Sequence, residues 1–96
     1  SANLSYANLN GANLMFAKLI SANLSYANLN GANMRHTNLS KANLYHADLD
    51  NANLLQTNFK NTNLTCATLG NTNAEMSKNF SYVTCPVLSH CGCDTD

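Results

Sequence analysis

The sequence is poor in the residues that usually anchor the core of a small domain. It contains no Trp and a single Pro, and aromatic residues make up only 7% of the chain although 45% of all residues are hydrophobic. A chain of 96 residues buries a small share of its surface and is difficult to stabilise alone. The core must therefore be built from small and medium apolar side chains in a regular arrangement.

Charge is also scarce, and it is balanced. Five Lys and Arg residues match five Asp and Glu residues, so the formal net charge is zero with neutral histidines. A neutral chain has no strong overall field to attract nucleic acid, and we predict no nucleic-acid partner. The longest uninterrupted apolar run covers residues 14–17, whereas a membrane-spanning helix needs about 18 apolar residues. We therefore predict no membrane partner.

A period of five residues runs through most of the chain. Large apolar residues recur at every fifth position, and two positions before each stands Ala or Thr, nearly always with Asn between them. Five fits neither the helical period of 3.6 nor the two-residue alternation of a strand, so the chain is expected to turn a corner after every unit. The inward-pointing large residues are then Leu4, Leu9, Leu14, Leu19, Leu24, Leu29, Met34, Leu39, Leu44, Leu49, Leu54, Phe59, Leu64 and Leu69.

A second period of twenty residues lies above the first, because residues 1–13 recur unchanged as residues 21–33. Twenty residues are four units, which predicts a coil with four faces per turn and about 4.8 Å between successive coils. We predict a repeat domain over residues 1–80, with four such coils, and a C-terminal cap and cysteine-bearing tail over residues 81–96. Ala74 and Asn79 stand where Leu is expected, so irregular faces are expected in the last coil.

The unit Ala-Asn-Leu-x-x, carried by residues 2–73, resembles the motif of the pentapeptide repeat family. This resemblance implies an all-β fold, a right-handed quadrilateral parallel β-helix (a solenoid). Many members of the family occur in cyanobacteria without an assigned activity. Some others resemble duplex DNA in shape and negative charge and bind DNA gyrase.

The flat faces of such a rod favour binding over catalysis. An enzyme needs converging groups in a concave pocket, so we predict no enzymatic activity, no catalytic residue, no metal and no cofactor. A structural or protein-protein interaction module is the favoured function, with its partner unknown. A DNA mimic that binds gyrase is the alternative, and it is disfavoured by the zero net charge. No secretory signal is visible, and localisation stays open with a weak preference for the cytoplasm.

Two outward features are candidates for contact with a partner. Met15, Phe16, Ile20 and Leu55 are apolar residues at positions that should point outward, and such clusters often mark contacts. They favour a protein contact surface, self-association included, or a surface covered by the tail or left partly exposed. The open first coil is a second candidate for self-association, since uncapped strand edges invite pairing.

One outward column contains Tyr6, Tyr26, His46 and Cys66 at twenty-residue intervals. Aromatic residues on neighbouring rungs stabilise a sheet, and we favour this interpretation over base stacking or a metal site. The tail carries Cys85, Cys91 and Cys93. Their spacing matches no usual zinc module, and the sequence leaves open whether they form a disulfide or remain free thiols.

Overall fold

The computed structural model describes residues 2–80. Within this range, each regular five-residue unit forms one parallel bridge with the unit twenty residues further along, such as Asn3 with Asn23 and Asn23 with Asn43. A turn follows each unit, so four units complete one coil. We number its sides face 1 to face 4, which in the first coil are residues 2–5, 7–10, 12–15 and 17–20. The predicted cap and tail, with Cys85, Cys91 and Cys93, lie outside the described residues.

Single bridges, rather than continuous strands, hold neighbouring coils together in the described part of the chain. The N–H of Leu4 donates to the carbonyl of Asn23 at 2.7 Å, and the N–H of Asn23 donates back to the carbonyl of Ala2 at 2.8 Å. In the regular units the Asn between the two inward residues also caps its own corner: Asn43 Oδ1, for example, accepts the N–H of Tyr45 at 3.0 Å. The backbone polar groups of each rung are thus paired both between coils and locally.

The corners are tight turns that place one residue in the left-handed region. The N–H of Ala7 donates to the carbonyl of Leu4 at 3.1 Å, and Tyr6 between them has a φ of 62°. A positive φ confined to the third residue of such a turn is the type II geometry, which favours Gly or Asn. Gly31 and Asn51 occupy such positions, but so do bulky residues such as Phe16 and His36. Aromatic and charged residues thus share these bends with Asn, Gly and Ser.

The inward side chains form one continuous core through the stack. The fully buried large residues are Leu24, Leu29, Met34, Leu39, Leu44, Leu49, Leu54, Phe59 and Leu64. Leu4, Leu9, Leu14, Leu19 and Leu69 belong to the outer coils and are partly buried against this core. Between Ala22 and Ala67 the column of small residues is buried as well, with Thr37, Thr57 and Thr62 among the alanines.

The fourth coil loses its regular shape on face 3. A 3-10 helix, Ala74–Met76, occupies the place of a rung, and the side-chain oxygen Oδ1 of Asn73 accepts the N–H of Leu54 at 2.6 Å. The regular bridging returns on face 4, where Lys78 pairs with Asn58. Phe80 then packs edge-on against Phe59, with ring centroids 5.6 Å apart. Face 3 is therefore irregular, while the backbone register of face 4 is regained.

Candidate interaction surface

The corner between face 3 and face 4 carries the most exposed apolar group among the sequence-predicted surface residues. In the first coil the N–H of Ala17 donates to the carbonyl of Leu14 at 3.0 Å, and the left-handed φ of 64° at Phe16 turns its side chain away from the core. Phe16 is 65% exposed and its neighbour Met15 is 39% exposed. These two residues form the centre of the candidate surface.

The ring of Phe16 is held by the coil above it. His36 occupies the same corner one turn later, and the two rings are parallel with centroids 4.8 Å apart. This distance is close to the spacing of neighbouring coils, so the stack follows directly from the twenty-residue period. Phe16 is therefore exposed but restrained, which lowers the entropy that it would lose on binding.

The four predicted surface residues do not form one patch. Met15, Arg35 and Leu55 follow one another at twenty-residue intervals in one column, and Leu55 is only partly exposed. Ile20 is exposed but lies at the far corner of face 4. The Nε atom of Arg35 is buried and has no hydrogen-bond partner among the described residues. The apolar surface is thus a corner, with Ile20 as a separate projection.

Met76 extends this corner and was missed by the sequence analysis. It is 52% exposed and stands twenty residues after Gln56 in the column of Phe16 and His36. Met76 lies sixty residues after Phe16, which is three periods of twenty, so the repeat spacing alone could have placed it in this column.

The corner between face 1 and face 2 carries the aromatic column. The rings of Tyr6 and Tyr26 are parallel with centroids 4.9 Å apart, those of Tyr26 and His46 are 5.1 Å apart, and Tyr45 packs edge-on against both Tyr26 and His46. Loss of hydration against these neighbours, followed by the nearby phenols of Tyr45 and Tyr6, raises the pKa of Tyr26. The rings stack on one another along the coil axis, so mostly their edges face outward.

Cys66 continues this column and is disulfide-bonded. Within the described part of the chain, no three His, Cys, Asp or Glu side chains come together in a way that could hold a metal ion. Over the same residues, no helix has the length and apolar character that crossing a membrane requires.

The repeat is recognised by a family model. The model described as pentapeptide repeats (8 copies) matches residues 1–35, 17–54 and 42–75. The chain belongs to the pentapeptide repeat family. No curated protein matches it.

Solved structures of pentapeptide repeat proteins have the same fold. One from the thylakoid lumen of Arabidopsis thaliana superposes with a TM-score of 0.82 at 28% identity, covering 86% of this chain and 57% of the other. One from Nostoc superposes with a TM-score of 0.73 at 34% identity, covering 88% of this chain and 76% of the other. The chain thus spans a little over half of the first of these proteins and about three quarters of the second.

Proposed function

We propose that the chain is a right-handed quadrilateral β-helix that acts as a non-enzymatic module for binding another protein. The family membership and the superposition on the Nostoc protein support the fold. The observation that carries the function is the exposed corner at Met15 and Phe16, where an apolar ring is restrained by stacking on His36. Restrained aromatic side chains at the centre of a surface are typical of residues that dominate binding energy.

The described surface does not favour the alternative of a DNA mimic that binds gyrase. A protein that imitates duplex DNA needs closely spaced negative charges, because duplex DNA carries one charge per about 1.7 Å of its axis. Residues 2–80 contain only Asp48, Asp50 and Glu75 as acids. Binding through an apolar corner fits this composition better.

Affinity capture from an extract of the source organism tests the protein-binding function. We expect the unmodified protein to retain a partner in a constant ratio, and the variant Phe16→Ser to lose it. The matched control is Tyr6→Ser, which removes an exposed aromatic residue from a different corner and should leave capture intact. If all three proteins retain the same set of proteins, the corner at Phe16 is not the binding surface.

A further inference from the structure

The four lysines of the chain lie on one side of the coil. Lys18 and Lys78 project from face 4, where they bridge Asn38 and Asn58, respectively. Lys41 and Lys60 lie at the corner that follows this face, and all four lysines are exposed. The fifth basic residue, Arg35, is at the corner that precedes it. The twenty-residue period thus gathers charges that are scattered along the sequence.

Two of the three acidic residues within residues 2–80 lie elsewhere. Asp48 and Asp50 are on face 2, on the opposite side of the coil. Asp48 Oδ2 accepts a hydrogen bond from the side-chain amide of Asn30 at 3.4 Å, and Asp50 Oδ1 accepts the N–H of Gly70 at 2.7 Å. Glu75 shares the column of Arg35. The zero net charge therefore hides a separation of charge between face 4 and face 2.

Face 4 also carries an aliphatic side chain among the lysines. Ile20 is 47% exposed, and the outward residues around it are Ser21, Asn38 and Ser40. The nearest exposed aromatic rings are those of Phe16 and His36. They lie at the corner between face 3 and face 4 and already stack on each other. Single-stranded nucleic acid would be bound by a positive groove with free aromatic faces. Face 4 is instead flat and basic, and the aliphatic side chain of Ile20 projects from it.

We infer that face 4 binds the surface of an anionic lipid bilayer. A planar membrane matches a flat face, its negative lipid headgroups match the lysines, and Ile20 can enter the boundary between headgroups and acyl chains. The short apolar runs of the sequence bear on membrane-spanning segments and not on this surface contact, so the inference differs from the expectation of no membrane partner. The inference goes beyond protein binding, since it rests on the lysines of face 4 rather than on the corner at Phe16.

The expected strength follows from the number of lysines. Each Lys near an anionic membrane strengthens binding about fivefold, so four lysines together give an increase of several hundredfold over a neutral membrane. This attraction decays over about 8 Å at physiological salt. The four lysines can all lie within this distance of the membrane surface at the same time, because they share one flat side of the coil. Binding should therefore be reversible and strongly dependent on salt.

Co-sedimentation with vesicles tests the inference. We expect the protein to sediment with phosphatidylcholine vesicles that contain about 30% phosphatidylglycerol, and to stay in solution with pure phosphatidylcholine. Salt at about 0.5 M should release it. The variant Lys18→Gln with Lys60→Gln should bind about 25-fold more weakly, because it removes two of the four contacts. Circular dichroism checks that the variant keeps its fold, which is expected because both side chains are exposed.

The matched control removes charge from the opposite face. Asp48→Asn with Asp50→Asn changes the net charge by the same amount in the other direction, and it should not weaken vesicle binding. Phe16→Ser should also bind vesicles as the unmodified protein does, so failure of the protein-binding function and failure of this inference give different results. No binding to anionic vesicles, equal binding to neutral ones, or an unchanged affinity of the lysine variant would each overturn the inference. Tighter binding to a duplex DNA fragment than to the vesicles would overturn it in favour of nucleic acid.

Discussion

At the scale of single residues, the buried threonines connect sequence and stability most directly. Thr57 replaces Ala in the inward column and is fully buried, and its hydroxyl donates to the carbonyl of Met34 at 2.6 Å. Thr62 makes the equivalent bond to Leu39 at 2.7 Å. A buried hydroxyl without a partner would be costly, so the coil tolerates Thr in this column because a carbonyl of the preceding coil lies within reach.

Replacing Thr57 by Val tests this role. The substitution keeps the shape of the side chain and removes its hydrogen bond, so we expect a loss of about 1 kcal/mol in the free energy of unfolding. Urea denaturation measures this value. The control is Thr68→Val, at an exposed position with a long contact of 3.4 Å to Asp48, which should cost less than about 0.5 kcal/mol. Equal losses at the two positions would contradict the proposed role of the buried bond.

At the scale of the five-residue element, the sequence predicts the regular parts well. The spacing of Ala, Asn and Leu indicates an inward pair and a corner, and the identity of residues 1–13 with 21–33 indicates four units per turn. The 3-10 helix at Ala74–Met76 does not follow from the same pattern. The missing Leu at position 74 predicts an irregular face, but not that a side-chain oxygen of Asn73 would replace a backbone acceptor. The partial burial of Leu55 likewise depends on its neighbours in adjacent coils, not on its own unit.

The corner of the regular unit gives a second prediction. The third residue of its turn adopts a left-handed backbone, which costs free energy unless that residue is Gly. Ser21 has a φ of 59° and is exposed, so Ser21→Gly should stabilise the coil by up to about 1 kcal/mol. Gly31→Ala at the equivalent position, with a φ of 71° and no atom within 4 Å of the added Cβ, should cost about 1 kcal/mol. Thermal denaturation of both variants checks the sign. A stabilised alanine variant would show that backbone strain does not govern these corners.

At the scale of the whole molecule, stability depends on the position of a coil in the stack. Each coil contacts only its neighbours, as in other solenoids. Leu44 in the third coil is fully buried, whereas Leu4 in the first coil is partly buried. Truncating a leucine should therefore lower the free energy of unfolding more in the middle of the stack than in its first coil.

Truncating these two leucines measures the gradient. Leu44→Ala should cost about 3 kcal/mol, and Leu4→Ala about 1 kcal/mol, because the second side chain leaves a smaller enclosed cavity. Urea denaturation of the two variants under identical conditions gives both values. Equal costs would mean that the first coil is as well enclosed as the third under the conditions of the measurement.

The disulfide at Cys66 makes a further contribution at this scale, because a covalent cross-link restricts the unfolded chain more than the folded one. A disulfide typically stabilises a fold by about 2–4 kcal/mol. Reduction should therefore lower the denaturation midpoint of the unmodified protein, measured in urea with and without dithiothreitol. Cys66→Ser should show the lowered midpoint already without reductant and should not respond to it. A response that persists in Cys66→Ser would assign the effect to cysteines other than Cys66, and no response in the unmodified protein would show that the bond adds nothing to stability.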